Sequence, residues 1–149
     1  MVLLGCPMED NLTLVDRAWV DAFNNRDQDR FVSQHAEEVA MHDPTLREPV
    51  QGRTALGEWF HGLFEMFPDY KVEKTRLFGN GDWVCLEYIE SGTMKGPIKG
   101  PSGNVPPTGK SFRSDCCVVC RVSGRKISEV RVYYDVLGLM GQLGLGPGP

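Results

Sequence analysis

The 149 residues contain no cluster of basic residues, no long apolar run and no even set of cysteines, and each lack removes a class of function. Lys and Arg total 16 against 20 Asp and Glu, with no stretch concentrating the cations, so a nucleic-acid backbone is not an expected partner. The opening MVLLGCPMED has no basic segment and few apolar residues before Pro7, too short for a signal peptide or a membrane span. A membrane is therefore not an expected partner either. Five cysteines without an export signal point to reduced thiols and a cytoplasmic location. The length suits one domain that buries a core without disulfides. Residues 1–10 are expected to be a flexible leader, 11–145 the domain, and 146–149 a disordered tail.

What is present is a change of period along the chain. Val15, Ala18, Trp19, Ala22 and Phe23 share a helical face over 13–25, with Thr13 and Asp16 spaced as an acidic capping box. A short helix follows over 27–34, then a strand over 39–43 that ends at Asp43-Pro44, where the residue before proline is pushed to extended geometry. Gly52 is expected to cap a longer helix in which Leu56, Trp59, Phe60, Leu63, Phe64 and Phe67 keep one stripe until Pro68. Segments 70–78, 83–93, 111–122 and 127–135 then read as strands. Helices before strands predict an α+β domain with a largely antiparallel sheet curled around the helices. The Gly- and Pro-rich 94–109 reads as a rim loop.

The stretch GRKISEVRVYYDVLGLMGQLGL, from Gly124, carries a strand into Asp135 and then into an apolar helix with Leu137, Met140 and Leu143. An acid at a strand end above a cavity is suited to proton transfer, and the same Asp is suited to cap the helix that follows; the pattern supports both. His42 with Asp43 is a second proton-handling candidate, against which stands the habit of Asp-Pro to start a turn. His35 and His61 have no partner acids at ligand spacing and are expected at the surface. Cys116, Cys117 and Cys120 lie within one strand, where alternation keeps them from converging on a metal. Both faces of that strand are apolar near its middle, so a partner subunit is expected over the outer sheet face.

Several short motifs together resemble the SnoaL-like polyketide cyclase family: HDP at His42, QGRTAL at Gln51, FPD at Phe67, GDWV at Gly81, PPTGK at Pro106 and YYDVLGLMGQLGL at Tyr133. The resemblance covers nearly the whole chain. It implies the cone-shaped fold of nuclear transport factor two and ketosteroid isomerase, in which a curved sheet wraps a long helix around an apolar pocket, and it implies dimers. It also implies cyclisation or isomerisation of an apolar or aromatic molecule without metal or cofactor, with Asp135 as general acid/base. Trp19, Trp59, Trp83, Tyr88 and Phe112 are expected to flank the pocket, with Met94, Ser114, Cys116, Arg131 and Tyr133 completing it.

The chain departs from the family pattern at Tyr88 and Arg131, where many relatives carry tryptophan, and at Met94, where many carry histidine. Arg131, Tyr133 and Asp135 share one strand face, so Arg131 could pair with Asp135 or receive an anionic group. Two other functions fit the residues. One is a non-catalytic small-molecule binder on the same scaffold. The other is an epoxide-hydrolase-like site, in which Arg131 bridges Asp135 and Glu90.

Overall fold

The computed structural model describes residues 7–100 and 103–146. The chain begins with α1 (Pro7–Asp16), which continues through a wider π-type turn over Arg17–Asp21 into the short α2 (Ala22–Asn24). Helix formation thus starts ahead of the expected 13–25. Pro7 occupies the first turn, where a missing N–H costs nothing, and residues 7–10 of the expected leader are helical. The expected capping box falls inside the helix, and Asp16 instead pairs with Lys74 at 3.0 Å. The rest of the leader and residues 147–149 of the expected tail lie outside the described residues.

Helix α3 (Gln28–Ser33) is capped by the Asp27 carboxylate, which accepts from the Arg30 N–H at 3.0 Å. Strand β1 (His35–His42) leads through a turn to the two-residue β2 (Val50–Gln51), and α4 (Gly52–Met66) is the main packing helix. Four long strands follow: β3 (Lys71–Asn80), β4 (Trp83–Thr93), β7 (Ser111–Ser123) and β8 (Lys126–Tyr134). The rim loop contains a small hairpin, β5 (Ile98–Gly100) with β6 (Gly103–Val105), and α5 (Val136–Gln142) closes the chain. The main sheet has the order β2-β1-β8-β7-β4-β3, antiparallel except where β1 runs parallel to β8. No helix among the described residues is long and apolar enough to cross a membrane.

Between helices and sheet lies an aromatic core. Phe23, Phe31 and Phe60 pack within 5.0 Å of one another by ring centroid, Phe31 stacked on Phe60 and edge-on to Phe23, and Trp19 meets Phe31 edge-on at 5.2 Å. Each such pair contributes about 0.5–1.5 kcal/mol beyond area burial. The helical stripes foreseen in the sequence form this cluster.

His35 is a correction. Rather than lying at the surface it is fully buried, donating from Nδ1 to the Phe31 carbonyl at 2.6 Å while its Nε2 accepts from Trp19 Nε1 at 3.3 Å. Both ring nitrogens are satisfied by the neutral tautomer. Burial, opposed in part by the Phe31 bond, lowers its pKa from 6.5 to about 4. The unfolded chain therefore takes up a proton over a range in which the folded chain does not. Stability should fall as pH drops from about 6.5 to about 4, and His35→Gln should flatten that decline in denaturant titrations at stepped pH.

Candidate functional site

A cavity of about 170 Å³ lies between the inner sheet face, α4 and α5. Trp59, Leu63, Met66 and Phe67 face it from α4 and its end, Phe112 and Val132 from the sheet, and Leu139, Met140 and Leu143 from α5 and the residue beyond it. Ile98 reaches it from the rim hairpin, which is tied down where the Lys95 and Gly96 N–H groups both donate to the Met66 carbonyl. A Cβ at Gly96 would stand 2.1 Å from the Glu65 carbonyl oxygen, so this close approach needs glycine.

The polar part of the lining is Asp43, Thr45, Tyr70, Tyr88, Glu90 and Tyr134. Glu90 decides its character. On β4, Val84, Leu86 and Tyr88 alternate inward, and Glu90 continues that parity into the cavity wall, where it is 8 % exposed. The Tyr70 hydroxyl donates to Glu90 Oε2 at 2.5 Å. Burial raises the Glu90 carboxyl above its ordinary range; hydrogen bonds from Tyr70 and Cys116 oppose the rise, and the Asp43 charge adds to it. Burial, followed by the Glu90 charge, likewise raises Tyr70 and Tyr88 well above the usual phenol value. Tyr134 is raised by burial and then by the charges of Asp43 and Glu90. Burial thus disfavours the charged form of every O–H acid along the inner wall. At the half-buried rim, Asp43 Oδ1 accepts from the Thr45 N–H at 2.8 Å and from its hydroxyl at 2.7 Å.

Asp135 is the main correction. It is exposed, it lies outside the cavity lining, and its Oδ1 accepts from the Gly138 N–H at 2.9 Å as the N-cap of α5. A Cβ at Gly138 would come within 2.3 Å of Asp135 Oδ2, so the cap and the glycine belong together. Arg131 and Tyr133 share its outward direction. Arg131 pairs with Glu129 at 3.0 Å rather than with Asp135, and Tyr133 is 54 % exposed. The inward residues of β8 are Val130, Val132 and Tyr134. The bridge from Arg131 to Asp135 and Glu90, on which an epoxide-opening site would depend, is not assembled.

The other expected lining residues divide. Trp59, Tyr88 and Phe112 line the cavity. Trp19 is instead buried in the aromatic core, Met94 is buried under the rim loop against Thr108, and Ser114 is half-buried outside the lining. Cys116 is buried opposite Tyr88 in the ladder, its thiol directed to the Ser114 carbonyl at 4.0 Å, and it does not line the cavity. His42 is half-buried outside the lining, and its neighbour Asp43 takes the rim position. Cys116 and Cys120 turn inward and Cys117 outward, following the alternation of the strand. His61 is at the surface, 3.0 Å from Glu65.

With this geometry in place, comparison with known proteins defines the class. The family model of SnoaL-like polyketide cyclases matches residues 13–143, and the chain belongs to that family. No curated protein matches the chain. Among solved structures, a candidate SnoaL-like polyketide cyclase from Jannaschia sp. CCS1 superposes with a TM-score of 0.82 at 21 % identity, over 98 % of this chain and 100 % of the other. A candidate polyketide cyclase from Xanthomonas campestris pv. campestris gives a TM-score of 0.79 at 21 % identity over 91 % and 98 %. A Catenulispora acidiphila protein of ketosteroid-isomerase-like fold, solved with trimethylamine, gives 0.74 at 21 % over 91 % and 97 %. At such identities these likenesses establish the cone fold and nothing finer.

The buried carboxyl has a consequence for stability. Because folding raises the Glu90 pKa, the unfolded chain loses this proton first, and stability should decline as pH climbs from about 4.5 toward the raised folded value. Glu90→Gln should remove that decline, whereas a decline unchanged in Glu90→Gln would place its source elsewhere. Asp135→Ala should cost about 1 kcal/mol through the lost cap, read as a shift of the urea midpoint.

Proposed function

We propose that the cavity binds a small apolar ring compound bearing a carbonyl or hydroxyl group and catalyses a cofactor-free acid/base cyclisation or isomerisation. The observation that carries this reading is the buried Glu90 carboxyl, hydrogen-bonded to Tyr70 in a largely apolar wall. A carbonyl oxygen placed against the protonated Glu90 carboxyl, which Tyr70 orients through its own hydrogen bond, meets a donor that strengthens as negative charge develops on it, which is where a preorganised hydrogen bond lowers a barrier most. The carbon beside that carbonyl is then acidified. Asp43, at the rim, is the group placed to take its proton, and the resulting enolate either returns the proton at another carbon or attacks a second carbonyl of the same molecule. Asp135 supports this chemistry by fixing α5, whose Leu139 and Met140 close the cavity.

Size narrows the substrate. A cavity of roughly 150 Å³ accepts benzene, so about 170 Å³ suits one six-membered ring with small substituents, not a fused polycycle. A monocyclic enone incubated in deuterated water should exchange its α-proton faster with the protein than without it. Glu90→Gln and Asp43→Asn should each slow the protein-dependent exchange by about 10²-fold or more, measured by proton NMR. Exchange indifferent to both variants would remove these carboxyls from the mechanism.

The capping role of Asp135 favours a second reading, a binding protein without turnover. In that case the monocyclic ligand would bind with like affinity to the wild type and to Glu90→Gln, with no exchange in either. For assembly, we propose a homodimer through the outer sheet face, where Phe78, Trp83 and Tyr133 are exposed and Ile89 and Val119 are half-buried. Sedimentation velocity should show a two-chain species that Tyr133→Glu shifts to monomer.

A further inference from the structure

On the outer face of the sheet, away from the cavity, two thiols meet across neighbouring strands. Cys85 of β4 and Cys117 of β7 lie 3.3 Å apart by sulfur, both half-buried and unbonded. They are diagonal in the ladder: Cys85 pairs with Val119, Cys117 pairs with Glu87, and the rung of Leu86 with Val118 lies between them. Diagonal neighbours on one face of an antiparallel pair are within reach of each other's side chains. A disulfide needs sulfurs about 2.05 Å apart, so the two must approach by roughly 1.2 Å more.

We propose that Cys85 and Cys117 form a redox-active dithiol that closes to an intramolecular cross-strand disulfide when a hydroperoxide is present. One sulfur, as thiolate, attacks the terminal peroxide oxygen, breaking the O–O bond and releasing the alcohol, and becomes a sulfenic acid. The second thiol then attacks that sulfur, the S–S bond forms, and water leaves. Two thiols are oxidised by two electrons, and the hydroperoxide is reduced to alcohol and water. Burial, followed by the adjacent Cys85 thiol, pushes Cys117 up to about 12. A thiol so raised reacts slowly with oxidants, so the pair stays reduced in air and its closure calls for an excess of added hydroperoxide.

Position gives the bond a further consequence. It would tie β4 to β7 one rung from Tyr88 and Cys116 and three from Glu90 and Ser114, so the clamp sits directly behind the cavity wall. Among the described cysteines no other pair stands in such contact, since Cys116 and Cys120 turn inward.

The test treats dilute, fully reduced protein, its outer face free of any partner copy, with hydrogen peroxide, followed by non-reducing peptide mapping. A linked Cys85–Cys117 peptide, with loss of two hydrogens from the intact mass and return to the reduced mass on dithiothreitol, is the expected result. Separate sulfinic acids at the two positions, or a link between other cysteines, would overturn the proposal. Phenylarsine oxide, which joins two close thiols with loss of water, supplies a readout without oxidation. One equivalent should bind the reduced protein and none should bind Cys85→Ser or Cys117→Ser. Undiminished binding in both variants would show that the proximal pair is elsewhere. The mapping uses the unaltered chain, so failure of either variant to fold leaves the test intact.

Discussion

Strand parity across β4, β7 and β8 is the constraint on which the rest of the molecule depends. Side chains alternate across a sheet, so the register that turns Leu86 and Val118 toward the helices also turns Tyr88 and Glu90 inward and Cys85, Cys117 and Arg131 outward. A one-residue slip would exchange the cavity wall for the outer face. The apolar residues on the inner face hold that register, because slipping would expose Val84, Leu86, Val118 and Val132 together.

The same parity explains how a carboxyl remains in an apolar wall. Glu90 is carried inward by its neighbours, and burial there favours its protonated form while Tyr70 hydrogen-bonds to its carboxyl. Taking a charge out of water without a counterion costs several kcal/mol, and no described cation pairs with this group. A protonated carboxyl beside a phenol is useful wherever an oxygen gains negative charge, so the burial that costs stability above acidic pH supplies the donor the proposed chemistry needs.

Much of the fold was legible in the sequence. The helical stripe from Leu56 to Phe67 and the strand from Trp83 to Thr93 were set by periodicity and bounded by Pro68 and by turn residues. Which face each strand presents was harder to read. On β8, counting by twos from the buried Ile127 places Arg131, Tyr133 and Asp135 inside. The pairing shift at Arg121 and Val122 makes Ser128 an extra residue, its hydroxyl donating to the Arg121 carbonyl at 3.2 Å, and reverses the count. Glu90 had a signal in the series Val84, Leu86, Tyr88, but Cys85 and Ile89 made the opposite parity nearly as apolar. His35 was hidden differently. Its partners, the Phe31 carbonyl and Trp19, are a backbone group and an indole, so no acid at recognisable spacing announced a buried histidine.

The proposed chemistry depends on Glu90, and not Asp135, carrying a proton in the cavity. It is tested most directly by a carboxyl-carbon NMR titration in which Glu90 is assigned by comparison with Glu90→Gln and Asp135 with Asp135→Asn. The Glu90 midpoint should lie clearly above the ordinary glutamate value of about 4.3 and rise further when Tyr70→Phe removes its hydrogen bond. A Glu90 midpoint at or below that value, with Asp135 raised instead, would contradict the proposed chemistry.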